Sequence, residues 1–175
     1  MARKWKPPIA RPAAARPYTA IAFEDPDAYF QARKALEKQF GRFDYESPAV
    51  DGASFVSLYG PVGFSQIRFL SFVRPVGREE IVDMRKKTIA IEMEMQNAGR
   101  PIIEIDPGYV TSYSVVRTAL DEDFHRIYFY DGIYVESIYF FERMSFRPWL
   151  HTPEFFRSQE VLTVFNDVRL ILSNG

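Results

Sequence analysis

A chain of 175 residues with 22 Lys and Arg set against 23 Asp and Glu carries almost no net charge, which argues against a generally nucleic-acid-binding surface and against a halophilic protein. It contains no cysteine, so disulfides, thiolate nucleophiles, cysteine-type zinc sites and iron–sulfur clusters are excluded. The length suits one domain with a full core, and sixteen Phe and ten Tyr suit a core built on a sheet.

Residues 1–17 hold five Lys or Arg, four Pro and no acid. Such a composition buries no core, and it predicts a basic, Pro-rich extended arm ahead of a single α+β domain at 18–175. The arm either touches phosphates or a partner, or is simply solvated. No apolar run approaches a membrane span and the N-terminus lacks the apolar segment of a secretory signal, so a cytoplasmic location without a membrane partner is expected.

Tyr18–Phe23 reads as the first strand. Asp25 then offers an N-cap with Pro26 at the first helical position, Tyr29, Leu36 and Phe40 recur at helical spacing, and Gly41 closes the helix. From Phe43 to Tyr59 the pattern is strand-like but broken by Pro48 and by Asp51-Gly52, which predicts an edge strand or irregular segment followed by a short strand, FVSLY. A turn at 60–63 leads into QIRFLSFV, whose alternation puts Ile67 and Phe69 on one face and Arg68, Leu70 and Phe72 on the other, as in a central strand.

Ile81, Met84, Thr88, Ile91 and Met95 then mark a second helix, with Gly99 just past its end. Its Arg85, Lys86 and Lys87 lie among Glu79, Glu80, Asp83, Glu92 and Glu94, the pattern of a solvated, salt-bridged face. After Pro101, IIEID alternates as a strand and Asp106-Pro107-Gly108 reads as a type II turn. VTSYSVVRTAL has strand character. Asp131-Gly132 between two β-rich runs is a type I′ hairpin turn. Thr152 and Pro153 open a last helix whose buried face is Val161, Phe165, Val168 and Leu172. The order is strand, helix, strand, strand, helix, strand: a ferredoxin-like βαββαβ sheet, extended by a C-terminal β-hairpin and a final helix.

The KPP leader, FGRFDYES at 40–47, RFLSF at 68–72, IDPGY at 105–109, HRIY at 125–128, GIYVE at 132–136 and the Trp149…Thr152-Pro153 segment together resemble an uncharacterised bacterial family, the domain of unknown function 4416. The resemblance spans nearly the whole chain and implies no assigned activity. Relatives often carry lysines between the DPGY segment and the histidine, where this sequence has Ser114 and Asp121, so no phosphate-binding role carries over to those positions.

Candidate chemistry gathers between Glu104 and Phe141. Counting back from a two-residue turn pairs Ile127 with Glu136 and His125 with Ile138, so His125 and Glu136 share a face as diagonal neighbours. An enzyme would use His125, Glu136 and Asp106 as acid–base groups, or the same three with Glu104 to hold a divalent metal. The plainer reading of His125 is a structural hydrogen-bond donor, and His151 carries no chemistry on this reading. The binding alternative puts Arg126, Tyr128, Arg117 and Tyr109 around an anionic ligand: a nucleotide, an RNA segment or a phosphorylated small molecule. A third class is an oligomer-forming structural protein with an exposed apolar face. The sequence favours the binding module.

Overall fold

The computed structural model describes residues 7–59 and 63–174, so the expectations for residues 1–6, Trp5 among them, and for the turn at 60–62 lie outside the described residues. In chain order the elements are β1 (Arg16–Phe23), α1 (Pro26–Phe40), β2 (Phe43–Glu46), β3 (Val50–Asp51), β4 (Gln66–Phe72), α2 (Ile81–Glu94), β5 (Gln96–Asn97), β6 (Arg100–Pro101), β7 (Ile103–Val110), β8 (Ser114–Ala119), β9 (Ile127–Tyr130), β10 (Ile133–Glu142), β11 (Ser145–Pro148) and α3 (Gln159–Asn174). Because β1 takes in Arg16 and Pro17, the arm joins the sheet earlier than Tyr18, and Ala15 already pairs with Val76.

The main sheet runs β11-β10-β8-β7-β1-β4-β2, with β3 on β4 and β9 on β10. Within it β7-β1-β4-β2, antiparallel throughout and connected by α1 and α2, is the ferredoxin-like order. The chain is therefore α+β, extended on the β7 side by β8 and β10 before the hairpin strand β9 is added. Both first helices cover one face: Tyr29, Leu36 and Phe40 of α1 and Met84 and Ile91 of α2 pack on Ile21, Phe23, Leu70, Phe72, Ile103 and Ile105. The alternate residues of the same strands, Tyr18, Ala20, Phe69 and Val110, face Val161, Phe165 and Val168 of α3 on the other side. The sheet is thus sandwiched, and strand alternation supplies both cores. No helix among the described residues is long and apolar enough to cross a membrane.

Local signals work as expected at α1, where the Asp25 side chain accepts from the Asp27 amide, Pro26 sits in the first turn, and Gly41 at φ 85° donates to the Glu37 carbonyl. They work at the Asp131-Gly132 turn as well, since both residues have positive φ. Four expectations are corrected. FVSLY is not a strand: it is a loop whose Phe55 packs edge-on against Phe155. Gly99 is not a helix terminus but sits with Ala98 in the positive-φ turn between β5 and β6. Thr152 does not cap α3, because its hydroxyl donates to the Ile138 carbonyl at 2.6 Å; a short 3₁₀ turn, Glu154–Arg157, intervenes and Ser158 accepts from the Val161 amide instead.

The fourth correction shapes the site. Asp106-Pro107-Gly108 is not a turn but the middle of β7, which pairs along its whole length with β1. The β7–β8 ladder covers Gly108↔Arg117, Tyr109↔Val116 and Val110↔Val115 and stops at Pro107, which has no N–H to offer it. Gly108 is needed for space rather than for φ: a Cβ there would lie 2.2 Å from the Val116 carbonyl oxygen and 2.6 Å from the Tyr18 ring. Beyond Pro107 the sheet splits, as Thr118 and Ala119 stay with β10 and leave β7.

Candidate functional site

The split exposes the outer edge of β7, and α2 closes it. Arg85 Nη1 donates to the Ile105 carbonyl at 2.5 Å, and the Ile105 amide donates to Glu92 Oε1 at 2.6 Å, so one arginine and one glutamate stand in for a missing strand. Both side chains are buried, contrary to the solvated face expected for them. The charge pattern of α2 does not disclose this, because it takes the open edge of β7 to draw those two residues inward. Glu92 also accepts from the Tyr59 hydroxyl. Burial is the largest influence on its carboxyl and pushes it up to about 7, against the attraction of Arg85 3.7 Å away. Next along β7, Glu104 accepts from Ser57 Oγ at 2.5 Å and from the Leu58 amide at 2.9 Å, and burial raises its pKa as well. These carboxylates fasten the 53–59 loop to the sheet.

On the other side of the split Arg117 of β8 lies between two carboxylates. Its Nη2 is 2.8 Å from Asp106 Oδ2, and its Nη1 is 3.5 Å from Glu136 Oε1. Neither contact is well directed as a hydrogen bond, so Asp106 holds both oxygens without a directed donor among the described residues. Burial, only partly offset by Arg117 and Arg85, raises the Asp106 pKa. The Arg117 guanidinium also lies 5.1 Å from the centre of the Phe156 ring.

His125 and Glu136 do meet, at 2.5 Å between Nε2 and Oε2, but not through the register counted from the turn. Phe129 is an extra residue: Tyr130 pairs with Ile133, then Tyr128 with Tyr134 and Ile127 with Val135. The shift of one brings Arg126 level with Glu136. Arg126, which strict alternation from a two-residue turn would set beside Ser137 on the face away from Glu136, therefore joins His125 on the same carboxylate, Nε at 3.3 Å, and its Nη1 reaches Asp121 at 2.6 Å. Glu136, fully buried, is thus met by Arg117, Arg126 and His125.

The second histidine comes to the same place. β9 and β11 lie end to end along one edge of β10, and the chain after β11 fills the notch between them. There His151 Nε2–H donates to the Ser137 carbonyl at 2.9 Å, and its ring stacks on His125 at 4.2 Å. Nothing in the local sequence joins positions 125 and 151; only the shared edge of β10 does.

Two cavities flank this cluster. One, of about 480 Å³, lies over the split in the sheet, walled by Phe55, Ser57 and Leu58 of the loop, by Phe155 and Phe156, and by Arg117, Asp121 and Arg126. The other, of about 410 Å³, has apolar walls that include Tyr109, Val135 and Trp149, with His125, His151 and Glu136 at its base. The expected ligand-binding set is therefore divided. Arg117 and Arg126 share the first cavity, Tyr109 faces the second, and Tyr128 stands exposed on β9 against Tyr134. Of the expected metal set, Glu104 is taken by the loop, Asp106 by Arg117, and Glu136 by Arg117, Arg126 and His125; among the described residues no three such side chains are placed to share an ion.

The fold and the site define an α+β protein with a ferredoxin-like core and a buried ionic cluster between two cavities where its sheet splits. The chain belongs to the family described as Domain of unknown function (DUF4416), whose model matches residues 13–171. Comparison with curated proteins and with solved structures gives no match.

Proposed function

We propose that the protein binds a small anionic ligand with a planar or apolar portion in the 480 Å³ cavity, with Arg126 meeting its charge. The observation that carries this reading is a concave space lined by two guanidinium groups and by the rings of Phe55, Phe155 and Phe156. The two arginines have different parts. Arg117 is held between Asp106 and Glu136 and supplies a fixed background of positive charge. Arg126 is anchored on its inner side by Glu136, while its outer partner Asp121 has a side chain 73% exposed and can be displaced by a competing carboxylate or phosphate. Once Asp121 is displaced from the lining, Arg117 and Arg126 are the charged side chains that remain on the cavity wall, which suits an anion.

The test is a thermal-shift screen with inorganic phosphate, nucleotides and aromatic carboxylates. A ligand at about 100 times its Kd stabilises by about 2.7 kcal/mol, which raises the transition temperature by roughly 5–10 °C in a domain of this size. Arg126→Gln should abolish the rise. A flat response to all three classes of probe, or an undiminished rise in Arg126→Gln, refutes the assignment.

A second reading, an acid–base enzyme using His125 and Glu136, is favoured by one observation: the 2.5 Å contact puts a Glu-oriented imidazole at the base of the other cavity, with Nδ1 lacking a hydrogen-bond partner among the described residues. NMR of the ring nitrogens distinguishes the two readings. A ligand that shifts His125 and His151 and leaves Arg126 Nε unmoved supports the enzyme; the converse supports anion binding.

A further inference from the structure

The 410 Å³ cavity differs from the anion cavity in the face on which it opens and in the charge of its walls. Strand alternation puts Arg117 and the 480 Å³ cavity on the α3 side of the sheet. Tyr109, Val116, Val135 and Ser137 lie on the other side, where Ile81 and Val82 of α2 pack. No Lys or Arg lines this second cavity, and its one carboxylate, Glu136, is already met by Arg117, Arg126 and His125. A charged ligand finds no free counter-charge on such walls. The volume falls within the roughly 300–1,000 Å³ of small-ligand sites.

The polar groups of the cavity are held in place. His151 Nε2 lies 2.9 Å from the Ser137 carbonyl. A carbonyl can only accept, so Nε2 carries the proton, and in the neutral ring Nδ1 presents a lone pair. That nitrogen has no hydrogen-bond partner among the described residues, and in a half-buried ring on the cavity wall it stays open to whatever enters. His125, by contrast, has Nε2 on Glu136 and Nδ1 enclosed by protein; its ring stacks on His151 at 4.2 Å and steadies it. Trp149 is fixed as well. Its indole N–H donates to Ser137 Oγ at 3.2 Å, its ring packs on Phe140 at 4.3 Å, and its plane lies 10° from that of His151.

We propose that the 410 Å³ cavity is a second binding site, for a neutral planar ligand that packs on the Tyr109 and Trp149 rings and donates one N–H or O–H to His151 Nδ1. Indoles, phenols and neutral N–H heterocycles have this chemistry. The apolar walls bury the flat portion of such a ligand. The single fixed acceptor then selects among molecules of one shape, because a molecule without the donor leaves Nδ1 desolvated and unpaired. The assignment needs neither a bound anion nor a proton transfer, so it stands or falls apart from both readings above.

Indole and benzofuran test it, since the two share a shape and only indole carries an N–H. Titration of the ¹⁵N-labelled full chain followed by NMR should show saturable indole binding that moves the His151 Nδ1 resonance, with benzofuran bound roughly tenfold more weakly. His151→Phe keeps a ring against His125 and removes the acceptor; it should weaken indole alone and abolish the preference. Saturating inorganic phosphate should leave the indole affinity unchanged, because the anion cavity lies on the other face. Equal affinities of the unsubstituted protein for the two probes overturn the proposal. So do the absence of saturable indole binding and indole binding without movement of His151 Nδ1, and none of these outcomes depends on the folding of a variant. A preference that survives His151→Phe also overturns it, as does competition by phosphate, which would place the indole beside Arg126. A flat response to anions with indole binding intact would refute the anion reading alone.

Discussion

Replacing Glu92 by Gln should flatten the dependence of stability on pH. The carboxyl is 2% exposed, and burial raises its pKa from 4.5 to about 7 in the folded chain. The folded pKa is the higher one, so between these values the folded state keeps a proton that the unfolded state has released. Stability is therefore greatest at and below about pH 4.5 and declines until about pH 7. At 1.36 kcal/mol per pH unit, this interval corresponds to about 3 kcal/mol. Gln retains an oxygen to accept from the Ile105 amide and carries no charge at any pH. The variant should thus match the parent protein near pH 5 and exceed it by up to about 3 kcal/mol near pH 8. Urea denaturation of both proteins across this range measures the difference. Asp106, whose pKa is also raised, slopes the curves in the same direction in both proteins and cancels in the comparison, whereas Glu104, which repels Glu92, is relieved of that repulsion in the variant and adds to the flattening. Parallel curves refute the reasoning. A variant less stable than the parent near pH 8 would refute it differently, by making the attraction of Arg85 larger than the cost of burying the carboxylate.

Arg117→Met should destabilise by about 3–5 kcal/mol at neutral pH, because Asp106 and Glu136 lose the guanidinium between them. Adding Asp106→Asn should recover part of that loss, and denaturation of the single and double variants would detect a failure to do so. Gly108→Ala forces a methyl into the Val116 carbonyl and the buried Tyr18 ring, and it should cost about 3 kcal/mol or more by combining overpacking with a lost ladder bond; a change below about 1 kcal/mol would show that the strands part easily there.

Wherever the local signal concerned one residue's own backbone, the sequence was a sufficient guide. Asp25, Pro26 and Gly41 delimit α1, and Asp131-Gly132 makes its turn, because capping and positive φ are properties of those residues whatever surrounds them. The alternation of β4 assigns Phe69 and Leu70 to opposite cores for the same reason. The βαββαβ order then leads to the β7-β1-β4-β2 arrangement through the rules for connecting such elements. Asp106-Pro107-Gly108 has every property of a turn, and only pairing with β1 along eight residues holds it extended. Arg85 and Glu92 look like solvated charges on a helix, and only the edge that β8 abandons at Pro107 gives them backbone groups to satisfy. The bulge at Phe129 alone decides that Arg126 shares Glu136 with His125, and the unpaired stretch of β10 alone brings His151 onto that ring. Capping and periodicity act within a few residues and are written in them. Which strand pairs with which, where a ladder stops, and what is then buried to satisfy its free edge depend on contacts between distant segments, and those the tertiary structure decides.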